Sequence, residues 1–161
     1  MNVALRALSP ADLPTLFQWE NDPAANRMAG IFPRNYEAHV AHWEEVFPDS
    51  SVVNRAITVD GALAGKVSAF VIGTERHIGY WVDRAFWGQG VATSGVGLFL
   101  SEFPERPLLA QVSADNRASI AILKRHGFQK TGSEMTAETE RYRAGSVTSF
   151  LLADGFRAKG R

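Results

Sequence analysis

Hydrophobic and polar positions alternate at the start of the chain, so VALRAL, residues 3–8, predicts a first strand. SPADLPTLFQW then changes period. Ser9 stands as an N-cap with Pro10 at the first helical position, and Leu13, Leu16 and Phe17 fall on one helical face. A polar stretch bearing Pro and Gly, NDPAANRMAGIFPRN, interrupts before YEAHVAHWEEVF, a second helix in which Val40, Trp43 and Phe47 share a face. Two strands follow, Val53–Val59 and Ala62–Ile72, joined by Asp60-Gly61, a pair suited to a tight hairpin. RHIGYWVD, reached through Gly73-Thr74, is the next strand. VATSGVGLFLSEF reads as a helix, PLLAQVS as a strand, and NRASIAILKRHG as the best-formed helix of the chain. Asp115 or Asn116 caps that last helix, Lys124, Arg125 and His126 complement its C-terminal dipole, and Gly127 sits past its end. Strands around Phe128–Glu134 and Val147–Ala153 come last, before a charged tail. The order β-αα-βββ-α-β-α-ββ predicts a mixed α/β fold with about four helices.

A chain of 161 residues, 45% hydrophobic and 21% charged, is expected to form one globular domain over its whole length. Lys plus Arg and Asp plus Glu both total 17, so there is no basic field to hold nucleic acid or an anionic membrane. The N-terminus lacks the cationic start and long apolar run of a signal peptide, and no segment approaches the length of a transmembrane span. Without cysteine there are no disulfides, thiol nucleophiles or thiolate metal sites. A cytoplasmic protein is the expectation.

FWGQGVAT, residues 86–93, places two glycines one residue apart between the strand YWVD and a helix. Such a junction offers free backbone N–H groups and the positive end of a helix dipole, a ready anion site. No Gly-Lys-Ser/Thr follows, which excludes the Walker loop, and the third glycine, Gly95, arrives two positions late for a dinucleotide fingerprint. Taken alone, the segment is equally a tight turn with glycine for steric reasons.

A second segment, ADNRASIAILKRHGF, starts at the end of the next strand, so two helices begin side by side. WVDRAFWGQGVATSGV, residues 81–96, resembles the acyl-CoA pyrophosphate motif of the GNAT superfamily of N-acyltransferases, and NRASIAILKRHGF, residues 116–128, resembles its second signature. FQWENDPAANRMA is similar to the Trp-x-x-Asp-Pro stretch of the Rim-type branch, the ribosomal-protein N-terminal acetyltransferases. The resemblance implies a central, mostly antiparallel sheet and acetyl-CoA as co-substrate, with no metal. Gln89, Gly90, Val91, Ala92 and Thr93, after Gly88, would donate backbone N–H bonds to the CoA pyrophosphate. Trp87, where much of the superfamily has Arg or Gln, would pack under the loop. The strand at Trp81-Val82 would carry a bulge and splay from Leu109–Val112, leaving a slot for the pantetheine arm.

The implied reaction is direct attack of a neutral amine on the thioester. The Val82 N–H would then donate to the acyl oxygen, and a group near the sulfur would protonate the departing thiolate. The residue that supplies this proton as Tyr in many relatives is Leu123 here, so Ser119, one turn earlier, is the substitute; it also reads as a first-turn serine bonded to backbone. Asn116 would bond the pantetheine, cap its helix, or both. A base is harder to name, because the Glu that often follows Ala-Thr in Rim-type relatives is Ser94. Glu75, His77 and Asp83 are spaced by even numbers, so an unbulged strand puts them on one face, where they read as solvated strand residues. His77 joins Arg27, Met28 and Phe32 as acceptor-side candidates, with loop anchoring as the other reading of the last three. His39, His42 and Glu45 read as a solvated helix face rather than a metal site.

With no obvious strong base, the acceptor is expected to be a protein N-terminus or a small amine. An α-amine with pKa near 8 is about a tenth neutral at pH 7, a lysine only about once in several thousand. A catalytically silent acyl-CoA-binding regulatory module is the alternative that Leu123 and Ser94 keep open, and a homodimer is compatible with either reading.

Overall fold

The computed structural model describes residues 1–154; the charged tail at 155–161 lies outside the described residues. The strands are β1 (Val3–Ala7), β2 (Val53–Val59), β3 (Ala62–Ile72), β4 (Glu75–Val82), β5 (Leu108–Ser113), β6 (Gln129–Thr136) and β7 (Gly145–Leu152). They form one seven-stranded sheet in the order β1-β2-β3-β4-β5-β7-β6. Every neighbouring pair is antiparallel except β4 and β5. The helices are α1 (Leu13–Trp19), α2 (Pro23–Ala29), α3 (Tyr36–Val46), α4 (Val91–Glu102) and α5 (Arg117–Arg125).

The bounds of β2 and β3 match the alternation in the sequence, and their hairpin turns as the Asp60-Gly61 pair predicts. Asp60 has φ 50° and Gly61 φ 85°, both positive as a type I′ turn requires. Among the described residues five α-helices stand where about four are predicted. The additional one, α2, forms inside the stretch read as an interruption. Asp22 caps it, its Oδ1 accepting the Ala24 N–H at 3.1 Å, Pro23 opens it, and Gly30 closes it in the left-handed region.

Apolar residues on the two sides of the sheet build two cores. Val91, Val96 and Phe99 of α4 and Leu123 of α5 pack on one side with Ile57, Val67, Ile78 and Val82. Leu16 and Trp19 of α1 and Trp43 of α3 pack on the other, with Leu63 and Trp81 against them. His39, expected on a solvated face, is fully buried instead. The inward stripe of α3 runs His39, Trp43, Phe47 (one helical turn at a time), and His39 Nε2 donates to the Leu13 carbonyl at 3.1 Å, which satisfies that ring edge.

Candidate active site

A parallel pair held at one point creates the site. Among the described residues the β4–β5 ladder is the single pair His77↔Leu109, and beyond it the strands diverge toward their C-terminal ends. No bulge at Trp81-Val82 causes this, contrary to expectation. The β3–β4 register runs unbroken from Gly65↔Val82 to Ile72↔Glu75. The irregularity lies one strand away, where Ile57 pairs with Gly65 and Thr58 with Leu63, leaving Ala64 as the extra residue of β3.

Val82 gains its exposed backbone from this register. The Asp83 N–H donates to the Ala64 carbonyl at 2.8 Å. In the alternating antiparallel pattern Val82, one residue earlier, therefore turns its N–H and C=O away from β3, toward the gap. Its carbonyl accepts the Trp87 indole N–H at 2.9 Å. Trp87 is thus a brace rather than a ring packed beneath the loop, and it stays 37% exposed. Among the described residues the Val82 N–H has no such side-chain partner.

The gap opens into a cleft of about 780 Å³. Trp81, Val82, Gly88, Gly90, Val91, Ala92, Thr93, Asn116 and Ser119 all line it. Gly88 (φ 72°) and Gly90 (φ 77°) both occupy the left-handed region, which lets the chain turn from the strand into α4 without side chains over the mouth. The first α4 bond runs from the Ser94 N–H to the Gly90 carbonyl at 3.0 Å. The N–H groups of Val91, Ala92 and Thr93 precede it and are left for a ligand or water. Gln89 is not on the cleft wall; it is exposed, and its Nε2 donates to the Ala85 carbonyl at 3.1 Å.

Opposite α4, Asn116 rather than Asp115 caps α5, its Oδ1 accepting the Ser119 N–H at 3.2 Å. Ser119 Oγ lies 2.5 Å from the hydroxyl of Tyr80, a β4 residue on the same strand face as Val82. Burial pushes the Tyr80 phenol up to about 12, so it stays protonated at neutral pH. Lys124 and Arg125 add two cations to the α5 wall. The His126 ring bonds the Thr93 carbonyl at 2.9 Å and ties the end of α5 to the start of α4.

A match to the family model described as Acetyltransferase (GNAT) domain covers residues 2–129. The chain belongs to this GNAT family. A Bacillus subtilis (strain 168) protein named "Putative ribosomal N-acetyltransferase YdaF" is 25% identical over 103 residues, which is 60% of this chain and 56% of that protein. The matched region therefore spans little more than half of that relative. Among solved structures, a Salmonella typhimurium acetyltransferase described as modifying the N-terminal serine of ribosomal protein L7/L12 aligns with a TM-score of 0.77. It is 21% identical, and the alignment covers 95% of each chain. Spermidine N-acetyltransferase from Vibrio cholerae, solved with CoA and spermine, aligns with a TM-score of 0.80 at 15% identity, covering 94% of this chain and 95% of that one. At these identities the two alignments establish the GNAT fold.

Around this GNAT cleft the acceptor-side candidates scatter. Met28 lines it together with Ala25 and Ala29. Arg27 is exposed on α2 outside the lining, and Phe32 packs under the Arg143 guanidinium, 4.5 Å from it. His77, expected to be solvated, is buried, stacked on Phe70 with ring centres 5.9 Å apart, and burial holds its pKa below the usual histidine range. Glu75 is exposed, and Asp83 has left the strand to accept the Ala85 N–H at 3.1 Å. No helix among the described residues is long and apolar enough to cross a membrane.

Tyr80, Lys124 and Arg125 are the site residues that sequence reasoning passed over. Their signals were present: Tyr80 lies two residues from Val82 on one strand face, and Lys124 and Arg125 end the helix that carries Ser119.

Proposed function

We propose that this chain is an acetyl-CoA-dependent N-acetyltransferase acting on a protein N-terminal α-amine or a modestly basic small amine. One observation carries the reading: the cleft brings together the unpaired Val82 N–H, the open N-terminus of α4 and the Ser119 hydroxyl. The α4 N–H groups and dipole suit a pyrophosphate, and Lys124 and Arg125 add charge for further phosphate. The strand edge of β4 suits an amide-bearing arm lying in the β4–β5 gap. Val82 then donates its N–H to the thioester oxygen as negative charge develops there. Ser119, held by Tyr80, passes its proton to the departing sulfur as the C–S bond breaks, and is reprotonated, directly or through water, by the proton that the attacking nitrogen releases on becoming the amide. An amine already neutral at working pH needs no strong base, which fits the absence of an obvious carboxylate base in the lining.

Thiol release from acetyl-CoA, measured across small amines and N-terminal peptides, tests this reading. Release that depends on a particular amine supports it. Tight acetyl-CoA binding with no release for any amine would make the chain a binding module instead.

A further inference from the structure

On the side of the sheet opposite α4 and α5, five elements place charged side chains in one half-buried cluster. Glu20 ends α1, Arg34 precedes α3, His42 lies on α3, Lys66 on β3, and Arg141 in the β6–β7 connection. Glu20 Oε1 takes Arg141 at 3.3 Å, while Arg34 stands at the limit of an ion pair, 4.0 Å from Oε2. The side chains of Arg34 and Arg141 are only 26% and 21% exposed. Lys66 Nζ lies 5.4 Å from the centre of the Trp43 ring, and among the described residues it has no ion pair. Trp43 is itself 3% exposed, and its Nε1, which can only donate, has no hydrogen-bond partner among the described residues. Among the described residues three cations thus surround one carboxylate, with which Arg141 and Arg34 pair and Lys66 does not.

Withdrawing cations from water without counter-charge is costly, and here one carboxylate is divided among them. The surroundings register the excess. Burial pushes Lys66 down, Glu20 opposes this, and Arg141 and Arg34 reinforce it. His42 is pushed down to about 4, by burial first and then by Arg34 and Lys66, so at neutral pH it adds no further positive charge.

The cluster adjoins the site of transfer. Lys66 is the cross-strand partner of Trp81, and Trp81 lines the cleft immediately before Val82. Trp81 and Trp43 belong to the same core, so the wall of the cleft and the cationic cluster are continuous.

We propose that Lys66, Arg34, Arg141 and the Trp43 indole form an acceptor subsite for an anionic group, so that the preferred acceptor is a primary amine bearing a carboxylate or phosphate a few bonds from its nitrogen. This rests on the N-acetyltransferase reading for the role of the amine. The anion completes the charge of the cluster, and its attachment to the amine directs the nitrogen toward the acyl carbon beside Val82. Carboxylate and phosphate share this chemistry, and the cluster's charge alone does not choose between them.

Matched peptide amides provide the test: Ala-Glu-NH2 against Ala-Gln-NH2 for carboxylate, and Ala-phosphoserine-NH2 against Ala-Ser-NH2 for phosphate. Transfer from acetyl-CoA gives kcat/KM for each, and calorimetry on CoA-saturated protein gives binding independently of turnover. At least one anionic peptide is expected to exceed its neutral partner by about tenfold or more, corresponding to one well-placed charge-assisted contact. Lys66→Met, which keeps the apolar stem over Trp43, should bring that ratio toward one. Arg34→Gln, at a more exposed position, should lower it if Lys66→Met proves unstable by circular dichroism. Equal values for both pairs in the wild-type protein, or a ratio that survives both substitutions in folded protein, would overturn the subsite. Selective binding that depends on Lys66, without transfer to any amine, would uphold the subsite and overturn the acetyltransferase reading instead.

Discussion

The Tyr80 hydroxyl lies 2.5 Å from Ser119 Oγ, joining the strand that carries Val82 to the first turn of α5. Tyr80 also lies 3.3 Å from the Ser119 carbonyl, so its single proton can serve either oxygen. When Tyr80 donates to Oγ, the serine's own proton is free to point at a departing sulfur. Ser119→Ala should therefore lower the rate of acetyl transfer by about 10²-fold, the low end for a general acid because a thiolate leaves readily. Tyr80→Phe keeps the ring and loses only the orienting bond, so a loss of about tenfold is expected. Steady-state kinetics with acetyl-CoA affinity measured alongside checks both, and affinity should change by less than about twofold. Full rates in both variants, where chemistry limits turnover, would return the pair to a structural role.

Leu123 cannot substitute for Ser119 when replaced by tyrosine. Its side chain is fully buried in the core shared by α4 and the sheet, not open to the cleft. Leu123→Tyr should cost about 1–3 kcal/mol through overpacking. In a Ser119→Ala background it should restore no transfer, a result read by denaturant unfolding together with the transfer assay.

Gly65 protects the geometry of Val82. A Cβ built at Gly65 would stand 2.5 Å from the Trp81 carbonyl oxygen, with Val82 Cα at 3.3 Å. Backbone is the obstacle, so relief requires β3 or β4 to move. Gly65→Ala should destabilise the protein by about 1–3 kcal/mol. It should also weaken acetyl transfer more than it weakens acetyl-CoA binding, because the displaced peptide carries the Val82 N–H proposed to donate to the acyl oxygen. Unfolding curves and kinetics on the same preparation separate the two effects.

His42 should make stability depend on pH in a defined direction. Folding holds it near 4, from an ordinary value of 6.5, by burial and by repulsion from Arg34 and Lys66. Between those values the unfolded chain takes up a proton that the folded chain refuses, so stability falls as pH drops from about 6.5 toward about 4. Below that window this residue causes no further loss. His77, lowered by burial, contributes in the same sense. Urea unfolding at about pH 5 and pH 7.5 should show the wild-type protein weaker at the lower pH, and His42→Gln should reduce the difference.

Much of the fold could be read from the sequence because period and punctuation agree. The Asp60-Gly61 turn and the alternation on both sides of it specified β2 and β3, and the glycine turn specified the start of α4. α2 was missed although its Asp22-Pro23 start and Gly30 stop are sequence signals; a helix of seven residues shows too little periodicity to stand out from a polar loop. His39 and His77 were misplaced for a different reason. Composition places histidine outside, whereas a carbonyl at 3.1 Å takes the Nε2 edge of one and an aromatic stack covers the other. The missing β4 bulge was a property assumed with the resemblance. The free Val82 N–H arises instead from the register of β4 on β3 and from divergence of β5, which only tertiary pairing defines. The cationic cluster was equally hidden, since Glu20, Arg34, Lys66 and Arg141 come from four separate parts of the chain.

Calorimetric titration of acetyl-CoA against NAD decides whether the β4–β5 cleft with the α4 N-terminus is an acetyl-CoA site. Gly90→Asp places a carboxylate at the N-terminus of α4, and Gly90→Asn places an uncharged side chain of the same shape in the same left-handed backbone position. The wild-type protein should bind acetyl-CoA in the micromolar range and NAD much more weakly. Gly90→Asp should lose acetyl-CoA binding well beyond the loss in Gly90→Asn, with native circular dichroism in both. Equal affinity for NAD, or wild-type acetyl-CoA affinity in a folded Gly90→Asp protein, would contradict it.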